Sequence, residues 1–320
     1  MSTKTKIWLI VAVSLLLIGA SLFGGALAMS NYDISKMQSK KYETNKYEFE
    51  DAFESISITT NTADIEILAS DDGSYKVVCY EDIKAKHSVK IKGGVLEITV
   101  NDQRKWYDHI GFFVFSSQKV TVYIPKGEYD NLTIKSTTND VTVSENLSFD
   151  KADVTCTTGD VKFGASTKTA LNIKTGTGDI EIQKSSHGDF NLTVTTGNIK
   201  VSHVRCNNAT VNVSSGDTRI DGMVCTSFES DGSTGNIVMS DLVSSGNMKV
   251  SRGTGDIKLD KCDAANLTLS TVTGNIKGTL LSPKIFIHHS GTGSVNLPQT
   301  TTGGTCKITT STGNINIKID

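Results

Sequence analysis

The sequence is poor in the residue types that build metal, cofactor and nucleic-acid sites. Its 320 residues include 3 prolines, 2 tryptophans and 6 histidines, and aromatic residues make up 7% of the chain. The 6 cysteines show no Cys-x-x-Cys spacing and no accompanying histidine pattern, which argues against a zinc site. The 32 basic and 34 acidic residues are mixed along the chain, so there is no concentrated positive field for a phosphate backbone. We therefore predict no cofactor, no metal and no nucleic-acid partner.

Catalytic patterns are scarce as well. The Gly-Thr-Gly-Asp phrases, as at 176–179, resemble phosphate-cradling loops only superficially, because no Lys-Ser/Thr pair and no helix follows them. The arginines occupy different phases of the repeat described below, so they form no basic cluster of the kind that polysaccharide-cleaving β-helices use. We expect a protein that is not an enzyme, with a polysaccharide-modifying β-helix enzyme as the alternative.

A short repeated phrase dominates the rest of the chain. Ser/Thr-Gly-Asp/Asn followed by an apolar residue recurs every 19 or 20 residues, in ten copies between 138 and 315. The Gly position is occupied by Asn139 in one copy, and the apolar position is occupied by Thr218 in one copy. The acidic or amide position, here named the corner residue, falls at Asp140, Asp160, Asp179, Asn198, Asp217, Asn236, Asp256, Asn275, Ser294 and Asn314.

This period predicts an all-β fold, a parallel β-solenoid built from 19–20-residue rungs. Apolar residues alternate on both sides of the phrase, so each rung reads as strand, tight corner, strand. Gly suits a corner that requires positive φ. Antiparallel hairpins with two-residue turns are the alternative, but hairpins do not require a constant distance between corners, whereas in-register rungs do.

Stacking should place the corner residues in a ladder along the solenoid axis. We expect the Ser/Thr and Asp/Asn side chains to bond the amides of their own corner as well. From Asp179 onward, charged and neutral corner residues alternate, which avoids a repulsion of about 0.9 kcal/mol between like charges about 4.8 Å apart in water. The predicted ladder consists of Asp160, Asp179, Asn198, Asp217, Asn236, Asp256, Asn275 and Asn314.

Further columns predict the third side of the core and the end of the stack. An apolar position six residues after the corner should close the core at Val204, Met223, Leu242, Cys262 and Leu281. Cys206 and Cys225 occupy the same repeat position in adjacent rungs. They could form a disulfide with each other or remain buried free thiols. Ile315, Ile317 and Ile319 should form the terminal edge. Lys318 and Asp320 would then protect this edge, or it would pair with a partner or another copy.

The N-terminus predicts a membrane anchor. Residues 1–6 are short and basic, and 7–28 is a run of 22 residues without charge, long enough to span a bilayer. A cleaved signal peptide ending at 26–28 is the alternative. We expect the bulk of the chain outside the cytoplasm, although the lysines that follow the span leave a cytoplasm-facing scaffold open.

The predicted division of the chain is a basic segment at 1–6, an anchor at 7–28, a tether at 29–48, an irregular N-terminal β region at 49–125 and the repeat domain at 126–320. Asp64 precedes Asp140 by 76 residues, four times 19, which suggests an early rung. The densest aromatic run is either a plug for the open end of the core or a contact surface for lipid, glycan or protein. Its candidate contact residues are Trp106, Tyr107, Phe112, Phe113 and Phe115.

The order of these features resembles the DUF4097 family of adhesin-type β-strand repeat proteins. The resemblance rests on the apolar start at 7–28, Thr62-Ala-Asp-Ile-Glu-Ile67, the aromatic insert at 106–115 and Val122-Tyr-Ile-Pro125 before the repeat series. It implies a β-solenoid on a bacterial cell envelope, with some relatives tied to envelope-stress signalling, and it brings no catalytic or binding residues. We therefore expect a membrane-anchored binding, adhesion or envelope-sensing surface. Its expected partners are the membrane and a cell-wall glycan, a lipid or another envelope protein.

Overall fold

The computed structural model describes residues 2–29, 32, 41–105 and 117–320. The first element is a helix, α1, over Thr3–Met29, and none of its residues is buried. Within the described ranges it is the one helix long and apolar enough to cross a membrane. This agrees with the uncharged run in the sequence, because an apolar helix of this length matches the thickness of a bilayer core.

The remainder of the described chain is almost entirely β. The strands are β1 (Tyr42–Phe49), β2 (Ser55–Thr60), β3 (Ala63–Ala69), β4 (Tyr75–Asp82), β5 (Ala85–Lys92), β6 (Val95–Asp102), β7 (Gln118–Ile124), β8 (Gly127–Thr138), β9 (Val141–Val143), β10 (Leu147–Thr158), β11 (Val161–Phe163), β12 (Ser166–Thr177), β13 (Ile180–Gln183), β14 (Asp189–Thr196), β15 (Ile199–Arg205), β16 (Asn208–Ser215), β17 (Thr218–Cys225), β18 (Ser227–Thr234), β19 (Ile237–Thr254), β20 (Ile257–Thr273), β21 (Ile276–Leu280), β22 (Lys284–Thr292), β23 (Val295–Asn296), β24 (Gly304–Thr312) and β25 (Ile315–Ile319).

The repeats stack as a parallel β-solenoid, as the period predicts. Equivalent positions of successive rungs face each other in register, so Ile173 pairs with Leu192 and Leu192 pairs with Val211. The strands after the corner pair in the same way, with Ile180 against Ile199. The rung length therefore sets the register, because a slip of one residue would turn the apolar positions outward.

The corner glycines are required by close stacking. Gly197 has φ +139°, and a Cβ atom added there would lie 2.1 Å from the carbonyl oxygen of Gly178 in the rung below. Only a residue without a side chain fits both the backbone angle and the spacing. Asn139, the exception, has its side chain buried and its Nδ2 donates a hydrogen bond to the carbonyl oxygen of Ala63.

The core contains one buried arginine that explains the exceptional Thr218. Arg252 is 3% exposed, and its Nη2 donates to Thr218 Oγ1 at 3.2 Å and to Ser230 Oγ at 3.0 Å, while Nη1 donates to the Ser251 carbonyl at 2.8 Å. Gly232 leaves room for the guanidinium. Burial lowers the pKa of Arg252 to about 10. Thr218 is polar because a buried cation needs acceptors.

The third side of the core differs from the prediction at one position. Val204, Met223, Leu242 and Cys262 are buried as expected, but Leu281 is 45% exposed. The preceding residue, Leu280, is buried instead and pairs with Cys262, because the register shifts between Leu259 and Cys262. The prediction for Leu281 is therefore wrong by one residue.

The stacking order departs from the chain order at both ends. The last strands in sequence, β24 and β25, lie between β20–β21 on one side and β22–β23 on the other. At the other end, β2 and β3 lie between β6–β7 and β8–β9. Ile315 and Ile317 are consequently buried, and the terminal layer is β22–β23. The predicted terminal edge, with Lys318 and Asp320 as its protection, is thus wrong.

Antiparallel strands cover the N-terminal end of the stack. β4 pairs with β7 and with β1, and β5 pairs with β6, all antiparallel. β1 begins at Tyr42, inside the segment predicted as a tether at 29–48. That prediction is wrong for 42–48, because Tyr47 and Phe49 pack against the core and anchor this polar strand. Asp64 does form an early corner, and its Oδ1 accepts from the Asp140 amide at 3.3 Å.

Candidate binding surface at the corner edge

The corner residues form a continuous hydrogen-bonded ladder on one edge of the solenoid. The Asp217 amide donates to Asn198 Oδ1 at 2.9 Å, the Asn236 amide to Asp217 Oδ1 at 2.7 Å, and the Asp256 amide to Asn236 Oδ1 at 2.9 Å. Each side-chain oxygen thus accepts from the corner amide of the next rung, not from its own corner as expected. In stacking order the ladder runs through Asp64, Asp140, Asp160, Asp179, Asn198, Asp217, Asn236, Asp256, Asn275, Asn314 and Ser294.

The alternation of Asp and Asn adds side-chain hydrogen bonds to this ladder. Asn198 Nδ2 donates to Asp179 Oδ1 at 3.1 Å, and Asn236 Nδ2 donates to Asp217 Oδ1 at 3.3 Å. An Asn that follows an Asp therefore supplies a second donor to the carboxylate and separates it from the next one. Asp140, Asp160 and Asp179 follow one another without such a donor.

The Ser/Thr column beside the ladder does not behave as expected. All ten side chains, from Thr138 to Thr312, are exposed. Within the described part of the chain none of their hydroxyls makes a hydrogen bond to protein, although the sequence predicts bonds to the corner amides. The column therefore presents a row of free hydroxyl and methyl groups with one residue per rung.

On the other side of the ladder, basic residues share one outward column two positions after the corner. Register places Lys162, Lys200, Arg219, Lys258 and Lys277 in this column, interrupted by Glu181 and Val238. The phases of the arginines alone do not show this column, whereas Lys or Arg together stand at this position in five of the ten copies.

Shallow open grooves run between the ladder and this basic column. One groove is bordered by Asp160, Asp179 and Asp217 together with Lys162, Lys200 and Arg219, and a second continues to Asp256, Lys258 and Lys277. Lys200 pairs with Glu181 at 2.7 Å. Because acidic and basic groups border the same grooves, the surface offers hydrogen bonds and charges of both signs to an elongated ligand, and no field of one sign.

The predicted contact residues Trp106, Tyr107, Phe112, Phe113 and Phe115 lie outside the described residues. The chain leaves the last strand before them, β6, at Asp102 and enters β7 at Gln118. β6 pairs with β2 and β7 with β3, so these two flanking strands belong to the layer next to β2 and β3.

A buried Cys-Glu-His group lies in the N-terminal cap, which sequence reasoning missed. Single ligand atoms of Cys79, Glu81 and His87 lie within 4.8 Å of one another. His87 Nδ1 and Glu81 Oε2 are 2.6 Å apart, His87 Nε2 and Thr60 Oγ1 are 3.1 Å apart, and Asn45 Nδ2 donates to Glu81 Oε1 at 2.7 Å. Glu81 and His87 are thus hydrogen-bonded to each other and to neighbouring polar side chains. The one signal in the sequence is that Cys79 and Glu81 are two positions apart in a strand, which places their side chains on the same face of the sheet.

Two pKa shifts fit this structural role. Burial raises the pKa of Glu81, but hydrogen bonds from His87 and Asn45 outweigh burial, so that the pKa is lowered overall. Burial raises the pKa of the Cys79 thiol to about 12, so the thiol is protonated near neutral pH.

Cys206 and Cys225 are neighbours in the stack, and both are free thiols. A hydrogen bond between the two side chains lowers the pKa of Cys225. Of the two alternatives that the sequence left open, the structure has the thiol pair.

Comparison with known proteins identifies the family. The family model described as Toastrack DUF4097 matches residues 53–223, 165–277 and 188–320. The chain belongs to the DUF4097 family. No curated protein matches this DUF4097 chain.

Solved structures share its fold at low sequence identity. A putative adhesin from Parabacteroides distasonis is 12% identical with a TM-score of 0.52, covering 84% of this chain and 98% of that chain. A putative lipid binding protein from the same species is 14% identical with a TM-score of 0.50, covering 88% and 98%. At these identities the likeness shows the DUF4097 fold alone.

Proposed function

We propose that this DUF4097 protein is anchored in a membrane by α1 and displays its solenoid outside the cytoplasm as a non-catalytic binding, adhesion or envelope-sensing surface. The observation that carries the proposal is the helix Thr3–Met29, an apolar helix of 27 residues of which none is buried. Apolar surface of that extent is stable in a bilayer and costly in water.

The corner edge is the proposed binding surface. Its polar groups repeat once per rung, about 4.8 Å apart, so a long ligand can meet equivalent groups at many steps. A cell-wall glycan, a lipid or another envelope protein are the partners that we propose. The names of the two solved relatives, a putative adhesin and a putative lipid binding protein, are in line with a role in binding.

We also propose that the aromatic residues Trp106, Tyr107, Phe112, Phe113 and Phe115 contribute to contact with the ligand. Aromatic side chains supply large apolar area at low entropic cost, and they are otherwise rare in this chain. Replacing Trp106 and Phe113 by Ser should weaken binding to isolated cell envelopes without lowering the melting temperature. A lower melting temperature with unchanged binding would show a plug of the core instead.

Protease shaving of intact cells tests the orientation. The full chain with a C-terminal tag is expected to lose the tag on intact cells, while a cytoplasmic control protein stays intact until lysis. Protection of the tag in intact cells, with cleavage after lysis, would contradict the proposal and favour a cytoplasm-facing scaffold.

The mass of the membrane-bound protein tests the anchor. An uncleaved anchor retains residues 1–28, so intact mass spectrometry should find the full chain in the membrane fraction. A mature protein that begins after Ala28 and leaves the membrane fraction would show a cleaved signal peptide.

A further inference from the structure

The C-terminal layer of the solenoid ends in an open sheet edge. In the described chain, β22 pairs with β24 alone and β23 with β25 alone, so their outer backbone groups have no strand partner. An edge of this kind is a template for pairing with another strand, and proteins usually protect it with charges, proline or a covering segment.

Apolar side chains are exposed on this edge. Ile285 is 45% exposed, Ile287 is 55% exposed and Val295 is 38% exposed. Ile287 occupies the outward column that holds Lys307 in the next layer and Thr268 in the one after it. The terminal layer is therefore apolar where the inner layers are polar.

The edge carries no unpaired lysine, arginine or carboxylate, and its exposed titratable groups are His288 and His289. Lys284 is the one charged residue between 281 and 303, and it is 5% exposed and paired with Asp263 at 2.7 Å. The opposite end of the stack differs, because its edge strand β5 carries the exposed lysines Lys86, Lys90 and Lys92. One end of the solenoid is thus protected against strand pairing by charge, and the other end is not.

We infer that β22 pairs with β22 of a second copy of this chain, antiparallel and related by a twofold axis perpendicular to the solenoid axis. A strand edge satisfies the free amides and carbonyls of another edge, and a twofold axis makes identical strands run antiparallel. Because β22 has no unpaired lysine, arginine or carboxylate, two identical edges meet without repulsion between permanent charges. Ile285 and Ile287 of both copies then become cross-strand neighbours and partly cover each other, and the half-exposed Phe286 is also partly covered.

Two copies joined in this way form a rod with the N-terminal caps at its far ends. α1 precedes β1, which lies at the cap, so the two helices are connected to opposite ends of the rod. This consequence rests on the proposed function: with α1 in a bilayer and the solenoid outside, the pair bridges two membranes and acts as a homophilic adhesin.

Sedimentation equilibrium of the full chain in detergent micelles tests the pairing. The wild type is expected to form dimers, and Ile287→Lys should weaken the dimer at least tenfold, because it places two lysines in the interface. Val272→Lys is the matched control, since Val272 is 57% exposed on an inner layer and should not affect the dimer. Equal melting temperatures of the two variants show that both are folded. If Ile287→Lys fails to fold, Ile285→Lys replaces it.

A wild type that stays monomeric, an Ile287→Lys variant that dimerises like Val272→Lys, or open-ended fibres in place of dimers would overturn the inference. Clustering of lipid vesicles that carry the full chain tests the bridging arrangement. Wild-type vesicles should cluster and Ile287→Lys vesicles should not, whereas dimers in detergent without clustering would overturn the bridging. A tag protected from protease on intact cells would contradict the proposed function and leave the dimer in detergent standing.

Discussion

Replacing Asn236 by Asp is expected to destabilise the solenoid through the corner ladder. Asn236 lies between Asp217 and Asp256, accepts from the Asp256 amide and donates its Nδ2 to Asp217 Oδ1 at 3.3 Å. The change removes that donor and places three carboxylates in successive rungs.

The size of the effect follows from the rung spacing. Like charges about 4.8 Å apart repel by about 0.9 kcal/mol in water, so two new neighbours cost about 1.7 kcal/mol. Physiological salt, with a Debye length of about 8 Å, reduces this to roughly half. The lost Nδ2 hydrogen bond adds about 0.5 kcal/mol. We expect a loss of about 2 kcal/mol in low salt and about 1.5 kcal/mol at physiological salt.

The reverse substitution provides the matched control. Asp160 lies between Asp140 and Asp179, so Asp160→Asn removes two repulsions and keeps an oxygen that accepts from the Asp179 amide. It should stabilise the solenoid by about 1 to 2 kcal/mol, again more in low salt. Urea unfolding followed by circular dichroism at low and high salt measures both variants. If both variants shift stability in the same direction, or if neither shift depends on salt, the electrostatic account of the ladder is wrong.

Three further perturbations test the core and the corners. Gly197→Ala should cost several kcal/mol in urea unfolding because its Cβ would lie 2.1 Å from a carbonyl oxygen, whereas Gly127→Ala, with open space around it, should change little. Thr218→Val should cost about 1 to 3 kcal/mol although Val fits the repeat, because the buried Arg252 loses an acceptor; a double-mutant cycle with Arg252→Leu should show that the cost disappears when the arginine is absent. Burial lowers the pKa of His187 to about 4. Below about pH 6.5 the histidine is therefore protonated in the unfolded chain and still neutral in the folded chain. The free energy of unfolding should consequently fall by about 3 kcal/mol between pH 6.5 and 4. His187→Gln should flatten this pH dependence of the urea midpoint, and an unchanged profile would show that the histidine is not the cause.

The rung and its core could be predicted from sequence because the period constrains every layer in the same way. Ile180 and Ile199 must face inward once the corner is fixed, and the corner glycines follow from the space between rungs. The order of the end layers could not be predicted for the same reason. Rungs of equal length can stack in any order. The pattern therefore does not show that the layer of Ile315 lies between the layers of Ile276 and Val295.

The surface was less predictable than the core. The repeat pattern predicts whether a side chain faces outward or inward. It does not predict the hydrogen bonds of the corner side chains, because these depend on the direction of the corner amides, which point to the previous rung. The group of Cys79, Glu81 and His87 could not be found from spacing, because the antiparallel cap, which has no period, brings its two strands together.

The position of β24 and β25 between two other layers affects how the C-terminal end of the solenoid can unfold. In a solenoid whose last rung is also its last layer, the chain end peels off freely and the next layer follows. Here the C-terminal strands have neighbours on both sides, so the first layer to detach is β22–β23, which is held at both of its ends by layers that stay in place. That layer can leave only as a closed loop, which gains less conformational freedom than a free end. Opening of this tip therefore has to begin with the release of an internal loop, and β24 and β25 lose their outer neighbours only after that loop has detached.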